Sequence, residues 1–342
     1  MRITNNMMIK NMMRNLNNNL KRMDKVQQQM ASGKKFQLPS DDPIGVSKSL
    51  KLHTDLGRIE QYKRNVDDAL SWMEITESAI SDMGDVLQRA RELTVQASNG
   101  TNTTDDLNKI SKEVEELKEH LIELANTTYA GRSIFTGYKT NAPLLDEEGK
   151  YKLTNYESGA VATPTGLQLQ DSEISEYNVG VAESIEVNTS GIKIFGKYES
   201  ANPEDGNFST SSVNGYTIDS SNKTSDSTGA DKSYLIEIFD QLKNAMDGGD
   251  TDTIEKSIGR IDKVMENLLA VRAEIGAKTN RLELTKNKLE SQEINFTELL
   301  SKNEDVDMAK VIMDLKMEEN VYRASLSAGA KIIQPTLVDF LR

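Results

Sequence analysis

Apolar side chains in this sequence recur at alternating intervals of four and three residues, a spacing that calls for long helices packed lengthwise on partners. Near the start the seam runs Ile9, Met13, Leu16, Leu20 and Met23, with Gln27 and Met30 completing it. Near the end a second seam runs Met308, Ile312, Leu315, Tyr322, Leu326, Ile333, Leu337 and Phe340, with Glu319 and Gly329 filling in. Asparagines occupy much of the outer face of the first helix, and they are mediocre helix formers. Such a helix is marginal alone, so both ends are expected to gain order from packing, and above all from packing on neighbouring copies.

Punctuation between the seams follows local rules. Gly33 can end the first helix, and Asp41 or Asp42 can cap the next with Pro43 at its first position. The alternation resumes as Leu52, Leu56, Ile59, Val66, Leu70, Met73, Ile80 and Leu87, interrupted by Lys63, Glu77 and Gly84. A loop at Asn99-Gly100 is followed by Thr103 and Asp106, spaced as a capping box, and by a helix carrying Leu107, Ile110, Val114, Leu117, Leu121 and Leu124. From about 141 to 231 helical periodicity gives way to Ser, Thr, Gly, Asn and Tyr, with short alternating runs that predict strands and turns. Helices return at Tyr234–Met246, and after a turn at 247–250 a very long helix begins, with Asp252 and Glu255 as expected caps. Its stripe thins to Ile275, Leu282, Leu289 and Phe296, and Asn303-Glu304-Asp305 breaks the register.

The expected fold is therefore mainly α with a β-rich insertion. Residues 1–42 and 303–342 would form terminal coiled-coil assembly segments, 43–140 and 232–302 a helical bundle, and 141–231 an inserted outer β domain that could be removed without loss of the bundle. The 342 residues suffice for such an arrangement, with aromatics at only 5% and 14 Met among the buried faces.

Chemistry finds no foothold in the pattern. The absence of Cys excludes disulfides, a thiolate nucleophile and a Cys-rich zinc site. His53 and His120 lie on different expected helices and read as solvated residues, and the acidic stretch 247–255 fails the spacing of a calcium loop. No phosphate-binding or nucleophile-elbow motif occurs, so neither a catalytic site nor a cofactor nor a metal is expected. The net charge is −13, yet residues 1–38 hold eight Lys/Arg against Asp24 alone. That basic start coincides with an apolar stripe, which argues for a helical partner over nucleic acid. No run approaches the ~20 apolar residues of a membrane span, and the first thirty residues lack the apolar block of a signal peptide.

Several stretches resemble a known family. Met1-Arg2-Ile3-Thr4, then Gln29-Met30-Ala31-Ser32-Gly33-Lys34-Lys35, then Pro39-Ser40-Asp41-Asp42-Pro43 are similar to the N-terminus of the flagellin superfamily. Pro43 after the paired aspartates fits its hook-associated branch, where filament flagellins usually have Ala. The segment Ala130-Gly131-Arg132-Ser133-Ile134-Phe135-Thr136-Gly137, with Pro143, resembles the glycine–phenylalanine stretch of that branch, and residues 322–326 and 337–341 resemble its tail.

The resemblance implies a structural subunit of the bacterial flagellum that joins hook to filament. Its assembly interface would be the two terminal seams, with Ser40, Asp41, Asp42 and Pro43 as the family motif. The implied partners are further copies in a ring, the other hook-associated junction protein, flagellin, and an export chaperone on the C-terminal region, with no nucleic acid and no small-molecule substrate. The implied location is extracellular, reached without a cleavable signal peptide. A flagellin-type filament subunit and an intracellular coiled-coil scaffold remain alternatives.

Overall fold

The computed structural model describes residues 5–99, 102–152, 174–199 and 231–332, together with short strands at 155–156, 168–169, 207–209, 213–214 and 217–218. In chain order the helices are α1 (Asn5–Ser32), α2 (Pro43–Ser98), α3 (Thr104–Ala125), the one-turn α4 (Ile192–Phe195), α5 (Tyr234–Gly248), α6 (Thr251–Glu304) and α7 (Met308–Ile332). The strands are β1 (Thr128–Tyr129), β2 (Arg132–Ser133), β3 (Asn155–Tyr156), β4 (Gln168–Leu169), β5 (Glu176–Gly180), β6 (Glu183–Glu186), β7 (Lys197–Glu199), β8 (Asn207–Ser209), β9 (Val213–Asn214) and β10 (Thr217–Ile218), all in two-stranded pairs.

Local chemistry sets most helix ends. Gly33 takes φ +71, the left-handed conformation that closes α1, and its N–H donates to Gln29 O at 2.9 Å. Of the two candidate caps for α2, Asp42 serves: its Oδ1 accepts from Ile44 N at 3.2 Å and Gly45 N at 3.0 Å, ahead of Pro43 at the first helical position. The Thr103–Asp106 capping box opens α3 as expected. At α6 the expectation is corrected: Asp250, not Asp252 or Glu255, accepts from Thr253 N at 3.3 Å, because only Asp250 directly precedes the helix.

The chain divides into two compact units, residues 1–60 with 290–342, and residues 61–289. The divisions lie within α2 and α6, where the sequence reading cuts at 42/43 and 302/303 instead. In the larger unit every seventh residue of α6 is buried from Ile254 through Ile261, Leu268, Ile275 and Leu282 to Leu289. From α2, Val66, Met73, Ile80 and Leu87 are buried, as their spacing predicts. α3 packs on α5, where Lys118 and Lys232 reach the two oxygens of Asp240 at 3.0 and 2.7 Å.

Residues within 141–231 also supply buried side chains to the larger unit. Leu144, Leu145, Tyr151, Val179, Ile185, Ile192, Ile194 and Phe195 all lie inside the 61–289 unit and are buried. Asn126 at the end of α3 binds Leu144 and Leu145 through three hydrogen bonds, and Ser233 Oγ donates to Phe195 O at 3.1 Å. The β5–β6 hairpin is tied to helices on both sides. Asn65 Nδ2 of α2 donates to Asn178 O at 2.7 Å, and Lys278 of α6 pairs with Glu186 at 3.1 Å. These residues read as an appendage because short buried strands leave no long periodicity; their apolar side chains nonetheless complete the bundle's core.

Candidate assembly surface

In the smaller unit α1 and α7 pair side by side. Arg22 lies 3.8 Å from Glu318, Asn19 Nδ2 donates to Ser325 Oγ at 3.3 Å, and Met12 packs at Gly329. Rising numbers on α1 meet falling numbers on α7, so the pair is antiparallel and formed within one chain.

Ile9, Leu16, Met23 and Met30 are at least partly covered, as their spacing predicts, but between them the helix turns Met12, Asn19 and Val26 inward. Met13 stays half exposed, Gln27 is exposed, and Leu20 sits at the flank. On α7 Val311 and Gly329 are buried, and Asp314, Leu315, Glu318, Glu319, Tyr322 and Ser325 are partly covered. Met308, Ile312 and Leu326, expected in the seam, lie beside it and are exposed. The expected seam is rotated by part of a turn, because apolar spacing favours Met13 and Leu20 over Met12 and Asn19. Ile333, Leu337 and Phe340 fall outside the described residues.

The opposite side of α7 is apolar as well. Met313, Met317 and Val321, four residues apart, are 65%, 57% and 40% exposed, and exposed Ala324 and Ala328 extend the line. A helix with two apolar faces has one more than its single partner can cover. Thirteen of the nineteen exposed large apolar side chains among the described residues belong to this smaller unit, including Leu38, Ile44, Leu50, Ile294 and Leu299. Exposed apolar side chains among the described residues thus concentrate in the smaller unit.

A polar joint sits where α1 turns into α2 and α6 turns into α7. Lys35 N donates to Glu304 O at 2.7 Å, and Val306 N donates to Gly33 O at 3.0 Å. The Glu304 carboxylate is largely buried and receives Lys34 Nζ at 2.5 Å and Ser49 Oγ at 3.2 Å, with His53 Nε2 also at 3.2 Å. Burial pushes this carboxyl up, but Lys34, His53 and Ser49 outweigh it and hold it below the usual carboxylate range. His53 thus belongs to the joint, a role its sequence neighbours do not signal. In the family motif Asp42 caps α2, Asp41 pairs with Lys25 at 3.3 Å, and Ser40 is exposed in the turn. Among the described residues no cluster of His, Asp and Glu could hold a metal ion, and no helix is long and apolar enough to cross a membrane.

Comparison with known proteins adds an independent line. The profile of the bacterial flagellin N-terminal helical region matches residues 3–140, and that of the C-terminal helical region matches 258–341, together well over half of the chain. Flagellar hook-associated protein 3 of Escherichia coli K12 is 29% identical over 337 residues, covering 96% of each chain. Flagellin of Bacillus subtilis 168 is 28% identical over 341 residues, covering 98% of this chain and 97% of that one. The crystal structure of flagellar hook-associated protein 3 from Legionella pneumophila shares the fold, with a TM-score of 0.55 at 16% identity over 73% of this chain and 97% of its own.

Proposed function

This chain belongs to the flagellin family of structural flagellar proteins, and we propose that it serves as a hook-associated subunit joining hook to filament. The carrying observation is the second apolar face of α7, Met313, Met317 and Val321, which is exposed among the described residues. Burial of each against a neighbour would contribute about 1–2 kcal/mol, repeated around every subunit of a ring. The near full-length likeness to hook-associated protein 3 supports the place in the flagellum. The same reading assigns as partners further copies of the chain, a second junction protein on one side and flagellin on the other. An export chaperone would hold the C-terminal region before the subunit reaches the cell exterior through the flagellar export route.

Filament flagellin is the second reading, favoured by the 28% identity to the Bacillus subtilis protein over almost the same length. Copy number and position separate the two. Immunogold labelling of isolated flagella is expected to give one band at the hook end. Label along the whole filament would replace the junction reading with the filament one.

A further inference from the structure

We propose that the polar layer at Asn19 and Glu318, together with the notch at Gly329, selects the single register in which α1 accepts α7. Three contacts coincide there. Asn19 is buried and donates to Ser325 Oγ at 3.3 Å, and Arg22 lies 3.8 Å from one oxygen of Glu318. Met12 fills the space beside Gly329, where a Cβ would stand 2.5 Å from Met12 Cε and 2.7 Å from its Sδ.

Stability does not account for this layer. The Glu318 side chain is only 14% exposed, Arg22 is mostly solvated, and Glu318 Oε2 is buried with no hydrogen-bond partner. Taking a carboxylate oxygen out of water without a donor is unfavourable, so a leucine there would hold the helices together more tightly. What the layer supplies is discrimination, the role a single buried Asn plays in coiled coils. The apolar positions Ile9, Leu16, Met23 and Met30 repeat every seven residues and would accept α7 shifted by one heptad almost as well. The polar layer and the notch do not. A shift one way sets Met12 against Tyr322 where the glycine stood, and Arg22 against Val311. A shift the other way sets Asn19 against Ile332. Register matters beyond the pair, because one heptad moves the outward face of α7 by about 10 Å along α1.

The chain has no Cys, so engineered pairs report register cleanly. M12C with G329C removes the Met12 atoms that crowd position 329, and under mild oxidation it is expected to form an intrachain disulfide, while M12C with Y322C is not. In an N19L/E318L background, which sets leucine against leucine in the shifted register, the M12C/Y322C bond is expected to form as readily as M12C/G329C, with helical content unchanged. An unaltered cross-linking pattern would overturn the proposal. So would loss of the helical signal in both N19L/E318L and N19L alone, because the layer would then be needed for pairing and not for its register. The measurement is made on the single chain, so it can succeed or fail independently of where subunits label the flagellum.

Discussion

Glu304 carries the clearest energetic consequence at the scale of one residue. Its carboxylate is shared by Lys34, Ser49 and His53, which come from the turn after α1 and from α2. A folded-state pKa held below the ordinary carboxylate value contributes stability at neutral pH, and that contribution is lost as pH falls through the folded value. Acid should therefore loosen the joint only once pH falls below the ordinary carboxylate range. Glu304→Gln keeps the shape, removes the charge and leaves Lys34 without its counter-charge. We expect a cost of about 1–2 kcal/mol at pH 7, kept modest by the solvent exposure of Lys34 and His53. Circular dichroism melts at pH 7 and pH 3.5 would check both parts: the substitution lowers the melting temperature at pH 7 and narrows its fall in acid. An equal acid shift in the two proteins would remove Glu304 from the account.

At the scale of elements, α7 carries apolar side chains on two faces. Its inner face meets α1 through Val311, Leu315, Tyr322 and Gly329, and its outer face presents Met313, Met317 and Val321. The outer residues already face water, so Met313→Asp with Met317→Asp should change the melting temperature of the free chain by no more than about 2 °C. In assembly each carboxylate would enter an apolar contact at a cost of several kcal/mol unless it took up a proton. We expect such a subunit to be made and folded but absent from isolated flagella, with filament protein shed into the medium. A strong drop in the free chain's melting temperature would show that this face is an internal core. Leu326→Asp, at the flank of the seam, tests the same division and is expected to behave likewise.

For the whole molecule the consequential finding is that buried side chains between Leu144 and Phe195 lie in the same compact unit as the bundle helices. Tyr151 is fully buried and donates to Gly196 O at 2.7 Å, and Phe135 meets Phe195 edge to face at 6.3 Å. Replacing residues 141–231 by a short Gly/Ser linker would strip Leu144, Leu145, Tyr151, Ile194 and Phe195 from one core, each buried large side chain accounting for about 2–5 kcal/mol. That loss exceeds what a domain of ordinary stability can absorb. We expect the linker protein to unfold or to be degraded, as seen by circular dichroism and limited proteolysis. A cooperative melt near that of the intact chain would restore the picture of a separable insertion.

Much of this protein was legible before any coordinates. The heptads of α2 and α6, the cap at Asp42, the box at Thr103 and Asp106, the stop at Gly33 and the flagellin-like ends all depend on residues within a few positions of one another. Helix geometry turns such short spacings directly into shape. Tertiary structure alone decided which face of α1 turns inward, since Met12 and Met13 are both apolar and adjacent, and a buried Asn19 breaks the pattern that spacing rewards. It alone brought Lys34 to Glu304 across 270 residues of chain, and Asn126 to the carbonyl and amides of Leu144 and Leu145. It also turned a polar-looking stretch of strands into part of a core. Partners far apart in the chain leave no periodic trace, because nothing in the spacing along one segment records what the fold will set against it.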